Sequence, residues 1–187
     1  MGSIAGFFTR DENLLNEQLK WDMILSKMEA KIFYRKDGGI SHVDENIALT
    51  GDIFSNGDYI ISFCGDIYNR EELPDRCSKG DVRAVLDIII TYGLSGLDKI
   101  NGVFSGVLFH KSEKKLFLFR DHLGISPLFY TVKDNIVIFA SESKALFAYP
   151  DITPVLDRTG LCQIFGLAPA RKEDSGVYKG IYSVRPG

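Results

Sequence analysis

The chain has 187 residues, enough for one domain with a substantial core; 45% of them are hydrophobic and 25% charged, as in ordinary globular proteins. A net charge of −3 argues against a surface made for nucleic acid or for an anionic membrane. No apolar run approaches the roughly 18 residues of a spanning helix, and no basic leader precedes SIAGFF.

Ser3 to Phe8 reads as a buried strand. Asn13 to Phe33 reads as a helix, because Leu14, Trp21, Leu25, Met28 and Ile32 fall on one stripe. Tyr34 to Gly39 is a turn rich in Gly and charge. Ile47 to Leu49 is a short strand, and Tyr59 to Cys64 a strand covered on both faces, ending in a tight turn at Gly65. Ser78 and Asp81 have capping-box spacing before a helix buried through Val82, Val85, Leu86 and Ile89 and ended by Gly93.

Val103 to His110 and Lys115 to Arg120 pair around a charged turn. Leu128 to Val132 and Ile136 to Ala140 form a second hairpin around Lys133, Asp134 and Asn135. Ser141 N-caps a short helix to Phe147, Asp157 to Phe165 is another helix, and VYKGIYSVRPG is turn and strand. Antiparallel strands with helices outside them predict a layered α+β domain covering residues 1–187.

Cys64, Cys77 and Cys162 show no disulfide spacing, and His42, His110 and His122 no metal signature. The expectation is a cytoplasmic, metal-free domain. The stretch from Asp58 to Phe104 sets Cys64, Gly65, Asp66, Asn69 and Asp81 near one mouth of the core.

SIAGFF, FCGDIYNREEL, KGDVRAVLDIIITYG, LDKINGVFSGVLF, KKLFLFRDHLGISPLFY, VIFASESKAL and YKGIYSVRPG follow one another in a fixed order. Together they resemble the glutaminase domain of asparagine synthetases and related class II glutamine amidotransferases. The resemblance implies the N-terminal nucleophile hydrolase fold, an α/β/β/α sandwich of two antiparallel sheets. It also implies a mechanism. A cysteine exposed by removal of the initiator Met attacks the glutamine amide, with its own amine as base, and water releases glutamate.

Carried onto this sequence, the nucleophile position is Gly2, which has no nucleophilic atom. Ser3 has a hydroxyl, but the free amine would belong to Gly2, one residue away. Cys64 stands where the family has its oxyanion Asn, and a thiol is a weaker donor; Gly65 is retained, followed by Asp66. Asp81 matches the acid that holds the substrate's amino group, and it equally suits a helix start. The family's carboxylate-binding Arg loop is missing: only TGDIFSNG lies between Leu49 and Asp58, and Arg35 reads as a solvated turn residue. Arg120, Asp121, Gly124 and Pro127 read as a structural turn, near the contact with a second domain in the family.

The favoured reading is a catalytically degenerate glutaminase-like domain, its pocket formed by Gly2, Ser3, Cys64, Gly65, Asp66 and Asp81. The resemblance implies a C-terminal synthetase domain that uses ATP and Mg²⁺, with no cofactor in this domain. Lasso peptide cyclases and β-lactam-forming synthetases lack the cysteine because their substrates bring their own amine, and the lasso type, with its precursor peptide as partner, is favoured. A second reading is a working asparagine synthetase glutaminase in which Gly2 replaced the cysteine. A third is a non-enzymatic module for homodimerisation or peptide binding.

Overall fold

The strands are apolar on both sides, so each must be covered twice. In β1 (Ala5–Thr9), Ala5 and Phe7 face one core while Phe8, with Ile4 just before it, faces another. β8 (Ile136–Ala140) divides in the same way: Ile136 and Ile138 go to the first core, Phe139 to the second. In β4 (Tyr59–Ile67), Ile60 and Cys64 join that second core, and Ile61 and Phe63 join a third. The period of two along a strand therefore sorts the apolar residues into three layers of packing.

The computed structural model describes residues 3–32, 40–73, 81–167 and 176–187. Its other elements are α1 (Gln18–Glu29), β2 (Ile40–Val43), β3 (Ile47–Asn56), α2 (Asp81–Tyr92), β5 (Gly102–His110), β6 (Lys115–Arg120), β7 (Phe129–Lys133), α3 (Ser143–Leu146), α4 (Arg158–Leu167) and β9 (Tyr182–Ser183). The strands follow one another in the order β6-β5-β4-β3-β1-β8-β7-β9, with β2 added on β3. All pairs are antiparallel.

β3 belongs to two leaves. Ile47 to Thr50 pair with β1, and Asp52 to Asn56 pair with β4. Between them Gly51 has φ +128°, a backbone region that side chains rarely adopt. The leaves meet face to face, with the rings of Phe8 and Phe109 5.5 Å apart. Trp21, Leu25 and Met28 of α1 and Leu146 of α3 cover one outer face, where Trp21 lies 4.9 Å from Phe7. Val85, Leu86 and Ile89 of α2 cover the other. The result is the expected α/β/β/α sandwich, and each large side chain buried in it contributes about 1.5–3 kcal/mol.

Every position of the predicted stripe is buried, but the helix begins with a 3-10 turn at Leu14–Glu17 and ends at Glu29, so Ile32 packs from the segment after it. Asn13 caps that turn by accepting from the Leu15 amide at 3.0 Å. Both predicted hairpins form, and Asp134 and Asn135 have φ of 48° and 62°, as a two-residue type I′ turn requires.

Four expectations are corrected. The strand from Tyr59 does not turn at Gly65 but runs through it to Ile67, because Gly65 and Asp66 stay paired with Phe104 and Val103. The strand at Ile47 is ten residues long, since it serves both leaves. Ser141 is not an N-cap: its Oγ accepts from the Ile4 amide at 2.9 Å, and α3 starts at Ser143. Asp157 stands before α4 rather than within it, and it accepts from the Gly160 amide at 2.8 Å. The turn at residues 34–39, Ser78 and Cys77 lie outside the described residues. No helix among the described residues is long and apolar enough to cross a membrane.

Candidate functional site

The sequence-predicted residues divide into three groups. Gly2, the nucleophile position, lies outside the described residues. Ser3 leads into β1, where its carbonyl oxygen approaches the bend in β3. A Cβ added at Gly51 would lie 2.6 Å from that oxygen and 2.8 Å from Ser62 Oγ. This places the Ser3 backbone beside β4, two residues before Cys64.

Cys64 is buried between the two leaves, packed in the core that contains Ile60 and Val107. It pairs with Ser105, whose Oγ lies 3.0 Å from Ser126 Oγ. The inter-leaf layer near Cys64 is thus lined by small hydroxyls, with Ser62 donating to the Thr50 carbonyl at 3.3 Å. Gly65 has φ +145° and faces the β5 backbone so closely that no Cβ fits. Its presence is explained by the sheet.

Asp66 and Asp81 do come together, at the N-terminal end of α2. Asp81 is the first residue of that helix, and its carboxylate forms an ion pair with Arg70. Burial pushes the Asp81 carboxyl up, Arg70 pulls it down, and Asp66 and Asp52 push it up again; the balance lies above the ordinary value. The site is therefore an Asp81–Arg70 pair on which Asp66 and Asp52 act through charge. Asn69 is not part of it: its side chain donates to the Lys99 carbonyl at 2.9 Å and accepts from the Asn101 amide at 2.8 Å, tying two loops together.

Sequence reasoning missed Arg70 and Asp52. Arg70 lies within FCGDIYNREEL, but nothing in the spacing shows that it faces Asp81. Asp52 meets the cluster only because β3 bends at Gly51 and continues beside β4. Among the described residues no group of His, Cys, Asp and Glu could hold a metal ion.

The ion pair has a pH signature. Removing Arg70 raises the Asp81 carboxyl further, and a raised carboxyl favours the fold below its unfolded value near 3.9 and opposes it as pH rises through the folded value. Arg70→Ala is therefore expected to cost up to about 1 kcal/mol at neutral pH, discounted because Arg70 is half-exposed. The loss should disappear below about pH 4, where Asp81 is protonated in both states. Thermal melts at both pH values check this, and a loss equal at both would contradict it.

The structural turn expected at Arg120 and Asp121 forms, but the two side chains act separately rather than as an Arg–Asp pair. Asp121 accepts from the amides of Leu123, Ile125 and Ser126 at 3.1, 2.9 and 2.8 Å. Arg120 donates to the carbonyls of Gly124 and Val184. Each therefore fixes the turn through backbone groups.

Residues 43–187 match the family model described as a glutamine amidotransferase domain. Over 136 residues the chain is 38% identical to asparagine synthetase (glutamine-hydrolyzing) 3 of Bacillus subtilis, covering 68% of this chain and 22% of that protein. It is 36% identical over 101 residues to asparagine synthetase (glutamine-hydrolyzing) 2 of the same organism, covering 51% of this chain and 14% of that protein. The chain thus spans less than a quarter of the length of these curated relatives. Among solved structures, the glutamine phosphoribosylpyrophosphate amidotransferase of B. subtilis superposes with a TM-score of 0.59 at 14% identity, covering 79% of this chain and 43% of that one. At that identity the likeness concerns the fold.

Proposed function

Because the chain belongs to the family of glutamine amidotransferase domains, we propose that it is a glutaminase-like domain that no longer hydrolyses glutamine. Its parent is an ATP-dependent, asparagine-synthetase-like ligase that forms an amide bond, of the lasso peptide cyclase type. In such a ligase ATP and Mg²⁺ belong to a C-terminal synthetase domain, and no residue of this chain is assigned to them. A substrate that brings its own amine makes ammonia unnecessary.

The observation that carries the reading is the Arg70–Asp81 ion pair. Asp81 is the acid that would take the ammonium of a bound glutamine, and here an internal guanidinium already occupies it. Two further features support the reading. Cys64, at the oxyanion Asn position, is directed into the inter-leaf core, and glycine stands at position 2. A hydrolytic step would need a nucleophile, a base and a donor to the oxyanion, and the chain offers no strong candidate for the first.

The second reading, a glutaminase whose cysteine was replaced by Gly2, is favoured by one observation. The Asp81 carboxyl is pushed up by burial and by two neighbouring acids, a perturbation that clusters at functional sites. Ammonia release from glutamine by a Gly2→Cys variant with Met1 removed separates the two. We expect no turnover from a folded variant with a titratable thiol at its N-terminus. Sustained release of ammonia and glutamate would overturn the proposal and favour the asparagine synthetase.

A further inference from the structure

The helix α1 is apolar on two opposite sides. Trp21, Ile24, Leu25 and Met28 enter the core, as an amphipathic helix requires. On the far side Leu19 is 86% and Met23 57% exposed, and Leu15, on the 3-10 turn just before, is exposed as well. Residues four apart lie one above the other, so the three form a row along the outer face. Single exposed apolar residues are ordinary, whereas a row at the centre of a helix face marks an interaction surface.

The spacing indicates the kind of partner. Leu19, Met23 and the small, exposed Ser26 are four and three residues apart, as are successive d, a and d positions of a heptad. In that frame Asp22 falls on a g position and Lys27 on an e position, on opposite flanks of the row. Among the described residues neither side chain has a hydrogen bond or an ion pair. Lys20, at the preceding e position, is held by Glu17 and lies 4.5 Å from the centre of the Trp21 ring.

The flanks decide the orientation. Two parallel copies, related by a two-fold axis along α1, bring the g flank of each against the e flank of the other. Asp22 then meets the second copy's Lys27, five positions on, and the symmetry repeats the pair. Antiparallel copies bring like flanks together, so that lysines face lysines, and like charges repel.

We propose that the outer face of α1 is a self-association surface. It takes the same face of a second copy of this chain, parallel and in register, with Leu19 and Met23 at the centre and Asp22–Lys27 pairs at the sides. The helix is already folded by its inner face, so pairing carries no nucleation cost. It is 12 residues long, about 18 Å, which sets the contact in the small, transient class. The proposal does not depend on whether the domain hydrolyses glutamine.

Sedimentation equilibrium of the chain as it is tests this, at low ionic strength where surface charges are least screened. Over about 10 µM to about 2 mM protein we expect a dimer with a Kd below about 1 mM. Leu19→Glu should weaken it at least about tenfold, since it puts two acids at the centre of an apolar contact. Lys27→Glu should weaken it at least about threefold, because it sets acid against acid at both symmetric pairs. Asp22→Lys combined with Lys27→Glu should restore it, with each pair reversed. None of these three side chains belongs to the core, so the fold is kept in every variant. A monomer throughout would overturn the proposal and leave the face to a different partner. Dimerisation untouched by Leu19→Glu would place the contact elsewhere, and tighter pairing in Lys27→Glu would show antiparallel helices; either would also overturn it.

Discussion

Gly65→Ala is expected to cost the fold about 3–5 kcal/mol, the sum of overpacking and of backbone strain at positive φ. The new Cβ would press on the Val103 carbonyl oxygen and lie 2.5 Å from Phe104 Cα, both backbone atoms of the paired strand. Neither can move without separating β4 from β5 in the middle of the sheet. At φ +145° an alanine is strained even before it meets them. Chemical denaturation measures the loss, and a variant within 1 kcal/mol of the parent, by the standard of ordinary surface changes, would contradict this account. The prediction bears on function, because it gives Gly65 a reason to persist that has nothing to do with an oxyanion.

The second large effect is at Asp121, which is 1% exposed. Burial pushes its carboxyl up, but the amides of Ser126, Ile125 and Leu123 push it down further, and it ends below the ordinary value. Asp121→Ala would leave those donors without their acceptor, with only the Ser126 amide buried away from water, and is expected to cost about 2–3 kcal/mol at neutral pH. Asp121→Asn keeps one acceptor oxygen and should lose less. The sign with pH is fixed by the lowered carboxyl. Its contribution is complete above the unfolded value near 3.9 and is lost as pH falls through the lower folded value. The gap between parent and Asp121→Ala should therefore narrow below about pH 4. A gap that widens in acid would show that the carboxylate is not the stabilising form.

The sequence and the structure agree where one local rule decides the outcome. The buried stripe from Leu14 to Met28 and the two hairpins follow from periodicity and turn chemistry, and all are present. The layers follow from strands that are apolar on both faces. Agreement fails where a residue serves a distant partner. Ser141 has the composition of a cap, yet its hydroxyl binds Ile4, 137 residues away. Gly65 has the composition of a turn, yet it lies within a strand because the opposing backbone comes too close for a side chain. In the candidate site, Asp66 and Asp81 were legible as neighbours, whereas Arg70 and Asp52 reach them only through the three-dimensional course of β3 and β4. Position 2 is legible only in the sequence.

On the reading proposed above, Arg70 of this chain takes the place of the ammonium of a bound glutamine at Asp81. Titration of the ¹⁵N-labelled chain with L-glutamine tests it most directly, reading the amides of Cys64 to Ile67 and of Asp81. We expect no saturable shift up to about 10 mM, a concentration that would reveal binding as weak as about −3 kcal/mol. Saturable shifts at Asp66 and Asp81 within that range, enhanced in Arg70→Ala, would contradict the claim, because they would describe a pocket that still recognises its substrate.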